Sequence, residues 1–292
     1  TPVYQGPDWY VAVAASGGGA SNEGSSNSPM LYLSDAIRAA STGHTIHIGS
    51  GTHQYTSASN WNIPFDGSKT LVIKGAGRDA TILDAQQKHR HFYFNASNSS
   101  STLLDTTFKI KDLTLKNGRP QSNDHGGSVY MNGYHENNYG YKGHSPLFQN
   151  VVFQSNQTKF STNDYNKHGG AVYAYRSTPS FRDVTFKYNT APRNGGAFYA
   201  YHPDTNKTIT FERTTFTSNY VDPGTDLQTG EYGGAVYLYN CGKVVFKNSV
   251  FDSNLVKINT NNQNYGGAIY SGYNYDSLVV RNTKFRYNKV YK

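Results

Sequence analysis

Two short phrases alternate in strict order along the second half of this chain, and their alternation limits the fold more than any other feature. The first is a double glycine, a small residue, an aliphatic or Phe residue and a Tyr. It occurs as Gly126-Gly127-Ser128-Val129-Tyr130, Gly169-Gly170-Ala171-Val172-Tyr173, Gly195-Gly196-Ala197-Phe198-Tyr199, Gly233-Gly234-Ala235-Val236-Tyr237 and Gly266-Gly267-Ala268-Ile269-Tyr270. The second is a Phe followed three places later by Asn: Phe153 and Asn156, Phe186 and Asn189, Phe216 and Asn219, Phe251 and Asn254, Phe285 and Asn288. A fixed internal repeat marks a solenoid or a related array, in which each unit buries its apolar face only against its neighbours.

The distance from each double glycine to the next Phe is fairly steady, whereas the return from Asn to the next double glycine runs from the short "TAPR" to "YVDPGTDLQTGEY". Steady stretches read as packed wall and variable ones as surface loops. Within the wall, "AVYAY" and "SFRDVTF" alternate with period two over strand lengths, and no helical period intervenes. Parallel strands joined without helices describe a parallel β-helix. Inside it, Val172, Phe198, Val236 and Ile269 form one expected ladder and the five phenylalanines another. The Asn of each phrase falls at a corner, where its amide can bond backbone and the Asn of the next coil. The double glycine allows re-entry into the wall at backbone angles that a Cβ forbids.

Residues upstream fit the same wall. "MLYLSDAIRAAS" predicts a short amphipathic helix over about 33–40, N-capped by Ser34, with Leu33, Ile37 and Ala40 on one face covering the open end of the solenoid. "HTIHIGSGTHQY", "KTLVIKGAG", "ATILDA" and "FKIKDLTLKNG" follow as period-two strands with Gly, Asp or Asn turns. The expected organisation is an N-terminal arm and entry strand over 1–29 and one all-β solenoid domain over 30–292, with the paired repeats at about 120–292. The arm, with Val11, Val13 and Ala15 on one face, reads as a detached strand. It either pairs within its own molecule or docks head to tail on the C-terminal coil of another copy, where "KVYK" leaves no sequence for a second cap; the latter contact does not close and makes a filament.

Composition bounds the function. Hydrophobic residues are 36% of the 292, and aromatics 14%, with 25 Tyr. No apolar run reaches the length of a membrane helix. The start at Thr1 and four sequons, at Asn95, Asn98, Asn156 and Asn206, point to a secreted or cell-surface protein whose signal segment has been removed. The single Cys241 forms no internal disulfide and reads as a small buried strand residue. Net charge is +8, but the 27 Lys and Arg are scattered without a run, which favours a solvated basic surface over a nucleic-acid site.

The order "SDAIRAASTGHTIHIGSGTH", "IKGAGRDATILDA", "LTLKNG" resembles the opening of right-handed β-helix proteins of the pectate-lyase-like superfamily, over about residues 30–120. The alternating phrases over about 120–292 resemble the polymorphic outer-membrane protein repeats of chlamydial autotransporter adhesins. The resemblance implies a right-handed parallel β-helix and admits lyases, hydrolases, adhesins and structural proteins. It implies, for a lyase, a Lys or Arg base beside a metal-binding carboxylate cluster, and for a hydrolase two or three Asp on adjacent coils. None of the 292 residues reads as the membrane barrel of the autotransporters, so anchoring in that manner is not what the sequence leads one to expect.

No catalytic set stands out. Asp222 and Asp226 in "DPGTD" read as turn residues rather than metal ligands, and His89 and His91 around Arg90 as an exposed basic strand rather than a zinc site. No cofactor or metal is expected. The candidate site is instead the tyrosines: if Val172 points inward, alternation turns Tyr173 and Tyr175 outward, and likewise Tyr130, Tyr199, Tyr201, Tyr237, Tyr239 and Tyr270. Stacked coils then place them in two solvent-facing columns. Exposed Tyr suits a β surface without any further role, and a flat aromatic platform also suits stacking on an extended glycan or on another copy of the protein. The expectation is a non-catalytic extracellular adhesin, glycan-binding or filament subunit, the alternative being a polysaccharide lyase or glycoside hydrolase of the same fold.

Overall fold

A computed structural model of the chain describes residues 4–96, 101–121, 124–136, 140–158, 167–202, 206–223, 230–257, 264–273 and 276–291. The apolar positions are separated by two, so each strand has one inward face, and successive coils bring the same positions into register. Nine strands, from Asp8–Val11 to Leu278–Arg281, run along the spine of a 15-stranded first sheet; a second sheet has seven strands, from Ile63–Phe65 to Ile269–Gly272, and a third has four, from Thr190–Ala191 to Lys289–Tyr291. The coil-to-coil pairings are parallel, as in Val172↔Phe198, Phe198↔Val236 and Val236↔Ile269. One antiparallel hairpin, Tyr134–Glu136 with Gly140–Lys142, stands outside the wall. The molecule is thus a single parallel β-solenoid, as the repeats predict.

Phenylalanine fills its interior. Phe153, Phe186, Phe216, Phe251 and Phe285 stack with ring centroids 4.7, 4.8, 4.6 and 4.9 Å apart and planes within 5° of parallel. A second stack, Phe148, Phe181, Phe211 and Phe246, comes from the residue five places earlier in each coil and meets the first ladder edge-on. Such offset and edge contacts add to the burial of ring area that drives the coil together.

Each coil turns at the Asn. The residue before it, Ser155, Tyr188, Ser218, Ser253 or Tyr287, takes a positive φ of 52 to 57°. The Asn Nδ2 then donates back to the carbonyl of the preceding coil, Phe153 for Asn189 and Phe186 for Asn219, and forward to the Oδ1 of the next Asn at 2.8–3.0 Å from Asn156 through to Asn288. That same Oδ1 also accepts the backbone N–H of the preceding Asn. Asn156, Asn189, Asn219 and Asn254 are buried with their amides fully engaged.

The two glycines of the first phrase have different jobs. Gly126, Gly169, Gly195, Gly233 and Gly266 have φ between +63 and +71°, a conformation that excludes most side chains. A Cβ on the second glycine would stand 2.1–2.2 Å from the carbonyl oxygen of the second glycine in the next coil, at Gly127, Gly170, Gly196 and Gly234. The first glycine makes the turn; the second lets adjacent coils touch through backbone alone.

Two N-terminal expectations need correction. The helix runs Leu33–Ala39 and buries Leu33, Ala36, Ile37 and Ala40, but its N-cap is Tyr32 and Ser34 lies inside it, its hydroxyl donating to Asn60 Oδ1 at 2.8 Å. The helix therefore starts two residues earlier than capping rules suggest, because burying Leu33 outweighs one cap bond. The arm is not detached but takes the first of its two expected courses, pairing within its own molecule: Asp8–Val11 lies parallel to Thr45–Ile48 as the first strand of the first sheet, with Val11 turned inward together with Trp9 rather than with Val13 and Ala15.

Candidate functional site: a tyrosine wall

The second sheet sets the tyrosines in register. Tyr93, Tyr130, Tyr173, Tyr199, Tyr237 and Tyr270 occupy one position of consecutive coils, and Tyr175, Tyr201 and Tyr239 lie two residues further on in three of them. Each but Tyr270, which follows the partly buried Ile269, neighbours a fully buried Val, Ala, Leu or Phe, so parity sends the rings out of the coil as expected. In the inner column consecutive centroids stand 4.8–5.3 Å apart with planes tilted by 27° or less. In the outer column they are 5.0 and 6.0 Å apart.

Pointing outward does not expose them. Tyr173, Tyr199 and Tyr237 are only 7–9% accessible, contrary to the expected solvent-facing columns, while Tyr130, Tyr175, Tyr201, Tyr239 and Tyr270 are half-buried. The coil rise of about 4.8 Å explains the difference. It is close enough for each ring to cover the faces of its neighbours, and flanking columns cover the edges.

One flanking column is absent from the sequence reading. The residue just before each double glycine, His125, His168, Asn194, Tyr232 and Tyr265, forms a third row, joined by isolated bridges from His168 to Tyr265. His125 stacks on Tyr173 at 4.3 Å, His168 on Tyr199 at 4.7 Å, and Tyr232 lies 4.7 Å from Tyr270. The signal was present as the position immediately ahead of every "GG". Tyr93 was missed because its coil has no double glycine.

Burial keeps this wall neutral. Desolvation, reinforced by neighbouring phenols, raises Tyr173, Tyr199 and Tyr237 well above the ordinary Tyr range, and Tyr130 to about 12. The same cause, with the positive charges nearby second to it, lowers His168 well below the usual imidazole range. Cations sit at the N-terminal and outer margins: Arg90 lies 5.0 Å over Tyr130, and Arg176 4.6 Å over Tyr175. Chemically, the wall offers half-exposed phenol edges of the outer column on a rigid base, with most inner ring faces already occupied.

The remaining candidates sort differently. His89, Arg90 and His91 are buried, not an exposed strand: Arg90 clamps Asp124 at 2.7 Å together with the carbonyls of Gly126 and His125. His91 Nε2 donates to Leu83 O and its Nδ1 accepts from Ser128, while burial lowers it to about 4. Cys241 is buried as expected, in a loop rather than a strand, with burial raising its thiol to about 12. Asp222 pairs with Lys257 at 3.3 Å; Asp226 lies outside the described residues. Among the sequons, Asn156 is locked in the amide ladder, Asn206 is exposed, Asn95 accepts from Asn132, and Asn98 lies outside the described residues.

Acidic and basic side chains do converge once, on the first sheet. Glu212 meets Arg182 at 3.2 Å and Arg213 at 2.9 Å, and Arg213 also holds Asp183 at 2.6 Å. The hydrogen bond from Arg213 lowers Asp183 below the usual carboxylate range. Asp183 is thereby held ionised, and both carboxylates are paired with Arg side chains, which suits an ion-pair network better than proton transfer. Among the described residues, no three His, Cys, Asp or Glu side chains gather as metal ligands.

No curated protein matches the chain. The Chlamydia polymorphic membrane protein repeat matches residues 183–201. That stretch holds one full alternation, Phe186 to Asn189 and Gly195-Gly196 to Tyr201. It supports the repeat half of the resemblance and does not bear on the pectate-lyase half. The chain therefore carries a polymorphic membrane protein repeat within a parallel β-solenoid.

Proposed function

We propose that this protein is a non-catalytic recognition solenoid of the cell surface, an adhesin that makes contact through its tyrosine wall. The observation that carries the reading is the outer column of Tyr175, Tyr201 and Tyr239: half-exposed rings in register, held on a base of buried tyrosines. Aromatic groups with little conformational freedom contribute most to contact surfaces, because little entropy is lost when they bind. The repeat at residues 183–201 bears the name of a membrane protein family, which supports a surface placement.

The partner that fits is an extended glycan lying along the phenol edges, or a second copy of the chain. Tyr175→Ser, Tyr201→Ser and Tyr239→Ser in one protein test the reading against attachment to cells and to a panel of neutral glycans. Attachment is expected to fall at least tenfold with the circular dichroism spectrum unchanged; attachment equal to the parent's refutes the wall as contact face. Light scattering at high concentration tells the two partners apart.

A further inference from the structure

Basic residues that lie far apart in the sequence gather on the outer face of the first sheet. Its register aligns His47, Lys74, Lys111, Gln149, Arg182, Glu212, Lys247 and Arg281 in one column. A second column aligns Lys116, Gln154, Lys187, Thr217, Asp252 and Arg286. The density rises along the chain: residues 243–292 contain eight Lys and Arg against two Asp.

Pairing neutralises the carboxylates of this face and leaves a surplus of unpaired cations on it. Each of its carboxylates is engaged by a neighbour: Asp112 by Lys111 at 3.3 Å, Asp183 and Glu212 by Arg213, Asp252 by Arg286 at 2.9 Å, Asp8 by His47 at 2.7 Å, and Asp84 by Gln54 and Asn117. Seven cations remain with no ion pair among the described residues: Lys74, Lys109, Lys116, Lys187, Lys243, Arg281 and Lys284. They project from strands of the same sheet at about one coil per 4.8 Å. Between Lys109 and Arg182 the face opens into a groove of about 380 Å³, floored by Leu147 and Phe181 and edged by the hydroxyls of Thr106, Ser180 and Thr210.

We infer that this face is a docking surface for a sulfated polysaccharide, lying along the solenoid with sugar rings in the groove and sulfates on the unpaired cations. An apolar floor edged by hydroxyls suits a sugar ring, and cations on separate coils suit an extended polyanion. Single exposed ion pairs are weak, so they add up only for a ligand charged at least once per coil, and sulfation puts more than one charge on a sugar. Single-stranded nucleic acid fits less well, because it needs a row of rings on which bases stack. The outward strand positions from Lys109 to Lys284 carry none, and the nearest exposed rings, Tyr188 and Tyr287, stand at the corner and are not consecutive. The surface is separate from the tyrosine wall and does not depend on its role.

The probe is a fluorescent heparin oligosaccharide, with polygalacturonate and single-stranded DNA of equal charge as competitors. The whole chain is expected to bind it saturably, with affinity falling steeply as salt rises. Lys109→Gln, Lys187→Gln and Lys243→Gln together are expected to weaken binding about tenfold and flatten the salt dependence. Arg38→Gln, Lys88→Gln and Lys257→Gln, which remove equal charge elsewhere, should leave it within about twofold. Equal loss in both triple variants would show that only net charge matters and overturn the proposal. So would the absence of binding, tighter binding of DNA or polygalacturonate than of heparin, or loss of heparin binding in the Tyr175, Tyr201 and Tyr239 variant.

Discussion

The phenylalanine ladder inside the coil and the tyrosine ladder outside it are built by the same rule and end in different states. Both repeat once per coil at close to 5 Å, and both stack face to face. Inside, planes agree within 5° and the rings between Phe153 and Phe251 are sealed by a second stack meeting them edge-on. Outside, the tilts are larger and sealing depends on whatever the neighbouring columns supply, His125 and His168 toward one end and Tyr232 toward the other. The comparison teaches that coil spacing alone creates a stack, whereas burial on the outer side is assembled residue by residue.

The largest effect should come from the inner ladder. Phe216→Ala removes a ring stacked on both sides and is expected to cost about 4 kcal/mol, read as a lower denaturation midpoint. If the loss matches that of an outer tyrosine, the two ladders are energetically alike and the contrast fails.

Acid should act next on interior and wall alike, since burial lowers both His91 and His168. Folded His91 is held near 4, whereas in the unfolded chain it returns to about 6.5. Between those values the unfolded chain binds a proton that the folded one refuses, so the stability is complete above pH 6.5 and is lost as pH falls through 4. The expected loss is about 3 kcal/mol, and His91→Gln should flatten the profile of denaturation midpoint against pH. A parent profile that is level between pH 7 and 4.5 contradicts the burial.

The smallest effect sharpens the wall itself. Tyr199→Ala should cost about 2 kcal/mol, and Tyr201→Ala, in the half-exposed column, less than about 1 kcal/mol. Equal costs would mean that the flanking column does not seal the inner one.

How much of this was legible follows from where the causes lie. The alternation of Val172 with Tyr173, the five Phe and the five Asn are local patterns whose consequences repeat every coil, so the sequence carries the solenoid, both interior ladders and the outward parity of the tyrosines. Exposure is not local. Tyr173 is buried by His125, from a different coil, and Arg90 is buried because Asp124 and two carbonyls converge on it from more than thirty residues away. The basic face was hidden for the same reason: Lys109, Lys187 and Lys243 are neighbours only once the register is known. Ser34 failed as a cap because tertiary burial of Leu33 decided where the helix begins.

The asparagine ladder has a direction. From Asn156 to Asn254 each amide donates one hydrogen bond to the next Asn toward the C-terminus, besides any it sends back to a Phe carbonyl, so the Asn-to-Asn links all run one way along the corner. Aligned dipoles polarise one another, and each added link strengthens those already formed. A single Asn removed from the middle would split one long array into two short ones, while the same change at an end would only shorten it. Identical residues along this corner are therefore unequal in worth, and their rank is set by how many like neighbours stand on either side.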